Sequence, residues 1–207
     1  KGGLGSPVSH PEHGDTPILD LAIHSLLMMR DDINIVQIGA FDGVTSDPVS
    51  RWIGHSKVRA VLVEPQPIAY EKLKSLFNNV PNTILVRAAI TESNGSVSLW
   101  GPSGQDCSTV ASLSEEHVRN FAGRATPISV RGITVKSLLQ ETATPRVDLL
   151  QIDTEGHDFS ILQQFFAIDL EPLVINLESC HLNQAERTLL YREFEARDYT
   201  YLDYSLD

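Results

Sequence analysis

Between residues 33 and 204 the chain alternates short runs of β-type apolar residues with longer segments whose apolar side chains recur at helical spacing. Few folds accept that alternation. Strands separated by helices build βαβ units, hence a mostly parallel central sheet with helices on both faces, an α/β architecture of the Rossmann-like kind. The expected strands are INIVQIG (33–39), VRAVLVEP (58–65), TILVRAAI (83–90), VDLLQID (147–153) and LVINLES (173–179), with further strands at 96–100 and, as TYLDY, at 200–204. The spacing predicts helices over 18–29, 68–79, 134–141, 155–166 and 183–197, and one that follows the first strand and ends near Gly54. Residues 101–133 are less regular, and no repeat is evident.

Residues 1–17 are rich in Gly, Pro, Ser and His and show no period, so they read as a tail or linker, with one domain over 18–207. Asp15 or Thr16 is the expected cap of the first helix, with Pro17 in its first turn. His24 lies in that helix with no other metal-binding type beside it and reads as a packed helix residue. A chain of 207 residues, 42% apolar, has material for one sizeable core. Its formal charge of -11 leaves no basic stripe to neutralise phosphates, so nucleic acid is not an expected partner. No apolar run approaches the roughly 20 residues that span a bilayer, and no secretory h-region opens the sequence. A cytoplasmic protein without a membrane partner is the expectation. The chain opens on Lys1 rather than Met, as a piece of something longer would. Cys107 and Cys180 stand in no CxxC or zinc-like spacing and read as free thiols. The stretch NGS at 94–96 is formally a glycosylation sequon, but Asn-Gly between two β-type runs reads first as a hairpin turn.

In a parallel sheet covered by helices, ligands bind outside the strand carboxyl ends, where the strand order reverses. The residues that follow the expected strands are therefore the ones to read. They lie at 39–43, 64–67, 88–90, 153–157 and 178–181, and four of these five sites carry an acid. Gly39 and Gly43 let the backbone turn sharply and come close to a ligand. Their spacing is not the dinucleotide G-x-G-x-x-G. Glu64, at the end of the second strand, is placed to accept both hydroxyls of an adenosine ribose. Acids at Asp42 and Asp153 repel a pyrophosphate but suit an ammonium and a sulfonium. Those two charges belong to S-adenosylmethionine.

At these residues the sequence resembles the FkbM-type methyltransferases, a branch of the class I methyltransferase fold. VQIGAFDGVTSDPV, VLVEPQPIAYEKL and VDLLQIDTEGHDFSIL are similar to successive family motifs, and the last, followed by VINLES, is the most specific. The resemblance spans residues 33–204 and implies S-adenosylmethionine-dependent O-methyl transfer, commonly in tailoring natural products or sugars. It also implies roles. Gln37, Gly39, Asp42 and Gly43 shape the loop under the methionine part, and Glu64 holds the ribose. Pro65 and Gln66 flank the adenine, Ala88 and Ala89 close its other side, and Asp153 stands next to the methyl-donor end. Glu155 begins a helix in which Gly156 permits close packing. Phe41 stands where the family often carries Asn, and the class I sheet has a closing strand beyond the single terminal one expected here.

Transfer to a hydroxyl needs in-line positioning and a base. His157 and His181 each follow a strand, and His181 in ESCHLN is the preferred base. Glu178 can orient it or share magnesium with Asp153, with Asn176 or water completing the shell. Base and metal both stay open, with no metal site assigned. GQDCSTVASLSEEHVRNFAG lies where this fold class inserts a substrate lid, or is a surface connection; Phe121 and Trp100 wall a pocket or fill the core. The expected substrate is a small molecule or a carrier-bound intermediate, with the oligomeric state open. The competing readings are an NAD-dependent oxidoreductase, disfavoured by the missing glycine fingerprint, and a degenerate fold that serves as a binding module.

Overall fold

The computed structural model describes residues 17–202. Of the tail expected over residues 1–17, all but Pro17, which opens α1, lies outside them, as do the caps Asp15 and Thr16 and the end of the terminal strand at 203–204. The elements run α1 (Pro17–Met29), β1 (Ile33–Ile38), β2 (Val58–Val63), α2 (Pro67–Phe77), β3 (Thr83–Val86), β4 (Ala89–Ile90), β5 (Gly95–Pro102), α3 (Glu115–Ala122), β6 (Ala125–Ile133), α4 (Val135–Glu141), β7 (Leu149–Ile152), α5 (Asp158–Phe166), β8 (Val174–Leu177) and α6 (Gln184–Ala196).

Five strands form one parallel sheet in the order β3-β2-β1-β7-β8. Successive side chains on a strand point to opposite faces, and both faces here are apolar. Ile33, Ile35, Ala60, Leu62 and Leu149 pack with α1 and with Leu73 and Phe77 of α2. Their neighbours Val36, Ile38, Val61, Val63, Leu150 and Ile152 pack with α4, α5 and α6. All six residues of β1 are buried, which fits a central strand covered on both sides. The last helix starts at a capping box. Asn183 accepts from Ala185 N and Glu186 N, and Glu186 reaches back to Asn183 N at 2.9 Å. The α/β class, the parallel sheet and the helices on both faces are as the alternation predicts.

Three local expectations fail for identifiable reasons. The helix after β1 is reduced to a 3₁₀ turn, Ser50–Trp52. Asp42 Oδ1 accepts from Val44 N and Thr45 N, and Asp47 Oδ1 accepts from Val49 N and Ser50 N. These local bonds offer the backbone an alternative to the helical ladder; α1 covers that face of the sheet instead. The run 83–90 is two strands, because the chain leaves the main sheet after Val86 and Ala89–Ile90 pairs with β6. Asn94-Gly95 is not a hairpin turn. In the second sheet, ordered β4-β6-β5, β6 separates the two strands that the turn would have joined. Asn94 instead ties down the start of α4, accepting from Thr134 N at 3.0 Å and donating to Ser137 Oγ at 2.9 Å.

The irregular middle section is an ordered insert. β5 and β6 pair antiparallel, and α3 lies between them, opened by Ser114, whose side chain accepts from His117 N. Residues 199–202 form no strand, so the described sheet ends at β8. Among the described residues no helix is long and apolar enough to cross a membrane.

Candidate active site

Parallel strands deliver all their carboxyl ends to one side of a sheet. The loops after β1, β2, β3, β7 and β8 enclose a cavity of about 410 Å³ there. The strand order reverses between β1 and β7, so the cavity stands at the switch point. Here the loops after these two strands touch. Gly39 has φ +85°, and a Cβ on it would lie 1.7 Å from the carbonyl oxygen of Asp153. Only glycine fits that approach.

Glu64 joins the loops after β1 and β2. Its Oε2 accepts from Phe41 N and its Oε1 from Gln66 N, both at 2.8 Å. Each oxygen keeps a second lone pair, and Glu64 faces the cavity. Burial pushes its carboxyl up to about 7 against the two amide hydrogen bonds. Phe41 takes φ +45° to make its bond. Asn tolerates that region better than Phe. Gln37 Oε1 is buried and accepts no hydrogen bond from the described residues.

The wall after β7 and β8 is acidic. Asp47, Glu64, Asp153, Glu155 and Glu178 line the cavity, and no Lys or Arg does among the described residues. Solvent reaches the Asp153 carboxylate through the cavity mouth, but the walls displace much of its hydration. That loss, with the nearby charges of Glu178, Asp158, Asp47 and Glu64, pushes it up to about 7. Glu155 is also pushed up to about 7, by burial and then by Glu178 and Asp153. Behind Glu155 stand two imidazoles. His117 Nε2 lies 3.1 Å and His181 Nε2 3.2 Å from Glu155 Oε2, and His181 Nε2 is also 3.2 Å from Glu178 Oε2. Phe121 packs over both rings, with centroid separations of 4.9 Å to His117 and 5.9 Å to His181.

Gln37, Gly39, Glu64, Pro65, Gln66, Ala88, Ala89, Asp153 and His157 line the cavity as the sequence suggests. Asp42 and Gly43 do not. Asp42 spends its carboxylate on its own turn, and Gly43 packs against Phe77 and Leu73 of α2. The Gln66 amide is engaged at both ends by Ser108, which fastens the insert over the cavity. Asn176 donates its Nδ2 to Gln151 Oε1 at 2.6 Å. Glu155 does not start α5, which begins at Asp158. It sits in a turn at φ +54°, followed by Gly156 at φ +103°. Gly156 is needed for that backbone rather than for packing, since a Cβ there would meet only ordinary contacts. His181 lies beside the cavity lining, bound to two acids that belong to it. His157 Nδ1 is buried without a partner among the described residues, and burial followed by His117 holds its imidazole below the usual range.

His117 and Asp158 were not legible as site residues. His117 lies 38 positions from Glu155 in an insert that shows no strong period. Asp158 is buried and accepts from Thr154 N and Thr154 Oγ1, which shapes the turn that carries Glu155. The Asp-x-Glu-Gly-x-Asp spacing held that signal.

No curated protein and no solved structure matches the chain significantly. The family described as methyltransferase FkbM domain matches residues 37–201, which take in every strand end around the cavity. With that match over most of its length, the chain belongs to the FkbM methyltransferase domain family.

Proposed function

We propose that the protein is an S-adenosylmethionine-dependent O-methyltransferase of the cytoplasm that acts on a hydroxyl of a small molecule, a sugar or a carrier-bound intermediate. One observation carries the reading: a cavity at the switch point combines Glu64 after β2 with several further acids and, among the described residues, no Lys or Arg. That donor set suits this cofactor. Gln37 Oε1 is an unclaimed acceptor for an ammonium, Glu64 keeps lone pairs for ribose hydroxyls, and Asp153 favours positive charge. Held by Gln37, Glu64 and Asp153, the cofactor would supply an electrophilic methyl for the acceptor oxygen, with its sulfur as the leaving group. In the absence of an ion, Glu155 in the cavity wall and His181, 3.2 Å from its Oε2, are together suited to take the hydroxyl proton.

Calorimetric titration tests the cofactor. The wild-type protein should bind S-adenosylmethionine and not NADH. Glu64→Gln should weaken binding at least about tenfold, because charge-assisted hydrogen bonds contribute about 1.5–3 kcal/mol each. Unchanged affinity in a folded Glu64→Gln would remove Glu64 from the cofactor site.

The same carboxyl predicts a pH dependence. Ribose hydroxyls donate to the ionised form, so binding draws on the fraction of Glu64 that is deprotonated. With its carboxyl at about 7, that fraction falls roughly tenfold between pH 8 and pH 6. Affinity should therefore weaken as the pH falls across that window, and Glu64→Gln should flatten the profile. The linked effect on stability runs the other way. A folded carboxyl above its ordinary 4.5 stabilises the ligand-free protein at low pH and loses that contribution as pH rises through about 7.

A further inference from the structure

We propose that His117, Glu155 and His181 form a binding site for a divalent first-row transition metal at the acceptor end of the cavity. Three segments distant in sequence converge to make it: helix α3 of the insert, the turn after β7 and the turn after β8. The donor atoms of His117, Glu155 and His181 all lie within 4.8 Å of one another. The closest separations, 3.1 Å and 3.2 Å from the two imidazoles to Glu155 Oε2, resemble the edges of a coordination polyhedron. Donors bound at about 2.0–2.1 Å around a tetrahedral ion are about 3.3 Å apart.

One carboxylate oxygen faces two imidazole nitrogens whose rings meet edge-on at 4.7 Å, so three donors of metal-ligand type converge on one place. A cation between them satisfies all three donors at once. The donors are also held in place. Ser112 Oγ donates to the Glu155 carbonyl at 2.8 Å, and Ser114 Oγ accepts from His117 N at 3.2 Å. Phe121 covers both rings, and the three side chains are only 13–17% exposed. Two imidazoles and carboxylate oxygens select zinc, iron, cobalt or nickel over magnesium and calcium, which prefer oxygen alone. This ligand set differs from the Asp153 and Glu178 pair that the sequence suggests for magnesium.

Glu155 and Glu178 also line the cavity, so a bound ion faces the acceptor. Its role, which rests on the methyltransferase reading, is to hold the acceptor oxygen and lower its pKa, with the proton leaving to water. In the loaded protein the imidazoles and Glu155 serve as ligands.

The test uses the full chain after removal of metal by a chelator, with His10 and His13 replaced by Ala in every protein so that terminal imidazoles do not contribute. Cobalt(II) is titrated in and followed by visible absorption, then displaced by zinc, whose affinity is measured by calorimetry. One equivalent of cobalt with intense ligand-field bands is expected. His117→Ala and His181→Ala should each weaken zinc at least about 100-fold, with helical circular dichroism retained, and His24→Ala should leave it unchanged. Absent bands in the protein that carries only the two terminal replacements, or equal zinc affinity in all the proteins, would overturn the site. S-adenosylmethionine binding is measured alongside. Cofactor binding without metal binding sinks the metal site and leaves the cavity reading intact. Metal binding without cofactor binding supports the site and overturns its role in methyl transfer.

Discussion

Gly39→Ala should lower the melting temperature by about 10 °C and abolish cofactor binding, while Gly101→Ala should shift it by no more than about 2 °C. At Gly39 a Cβ meets backbone on both counts that matter, 1.7 Å from the Asp153 oxygen and 2.8 Å from its carbonyl carbon, at φ +85°. Asp153 cannot retreat without losing its amide bond to Ile38 O, which ties the ends of β1 and β7 together. A left-handed conformation costs a side-chain-bearing residue about 1–2 kcal/mol, and overpacking adds about 1–3 kcal/mol. In a chain of this size each kcal/mol corresponds to about 2–4 °C. Gly101 lies in β5 with open space around the added atom, which makes it the control. A Gly39→Ala protein that melts and binds like wild type would show that the two loops can separate at little cost.

His181→Ala should reduce methyl transfer by a factor of about 10² to 10⁴ and change the affinity for S-adenosylmethionine less than about threefold. His181 Nε2 is shared between Glu155 and Glu178, so its loss leaves two carboxylates facing each other without the imidazole. The cofactor contacts expected from Glu64 and Ala88 follow β2 and β3, on the far side of β1 in the strand order. They should not register the change. His157→Ala should have the smaller effect on turnover, since among the described residues no ion pair ties His157 to the acids as His181 is tied. Single-turnover rates with saturating cofactor separate the two variants. If His157→Ala loses turnover and His181→Ala keeps it, the roles must be exchanged.

The residues that follow the strands were readable because burial is periodic and local. Ile33, Ile35, Val36 and Ile38 are apolar on both faces, which only a covered parallel strand requires, and Gly39 and Glu64 mark where such strands stop. Asp42 was misread for a related reason. An acid in a strand-end loop can face a ligand or cap its own turn, and only the hydrogen bonds to Val44 and Thr45 distinguish the two. Gln66 likewise lines the cavity as expected, but its amide is held by Ser108 of an insert whose position the sequence does not specify.

By itself, then, the sequence determined the α/β class, the strands of the main sheet, the family and most of the cavity lining, since each depends on spacing within a few residues or on a contiguous motif. Tertiary structure alone decided that the run at 83–90 serves two sheets, that α1 stands in for the helix missing after β1, and that His117 meets Glu155 and His181. Those outcomes depend on strand order and on how the β5–β6 insert packs across the strand ends. Contacts of that kind are set by which surfaces the folded sheet leaves to be covered, and no local periodicity encodes them.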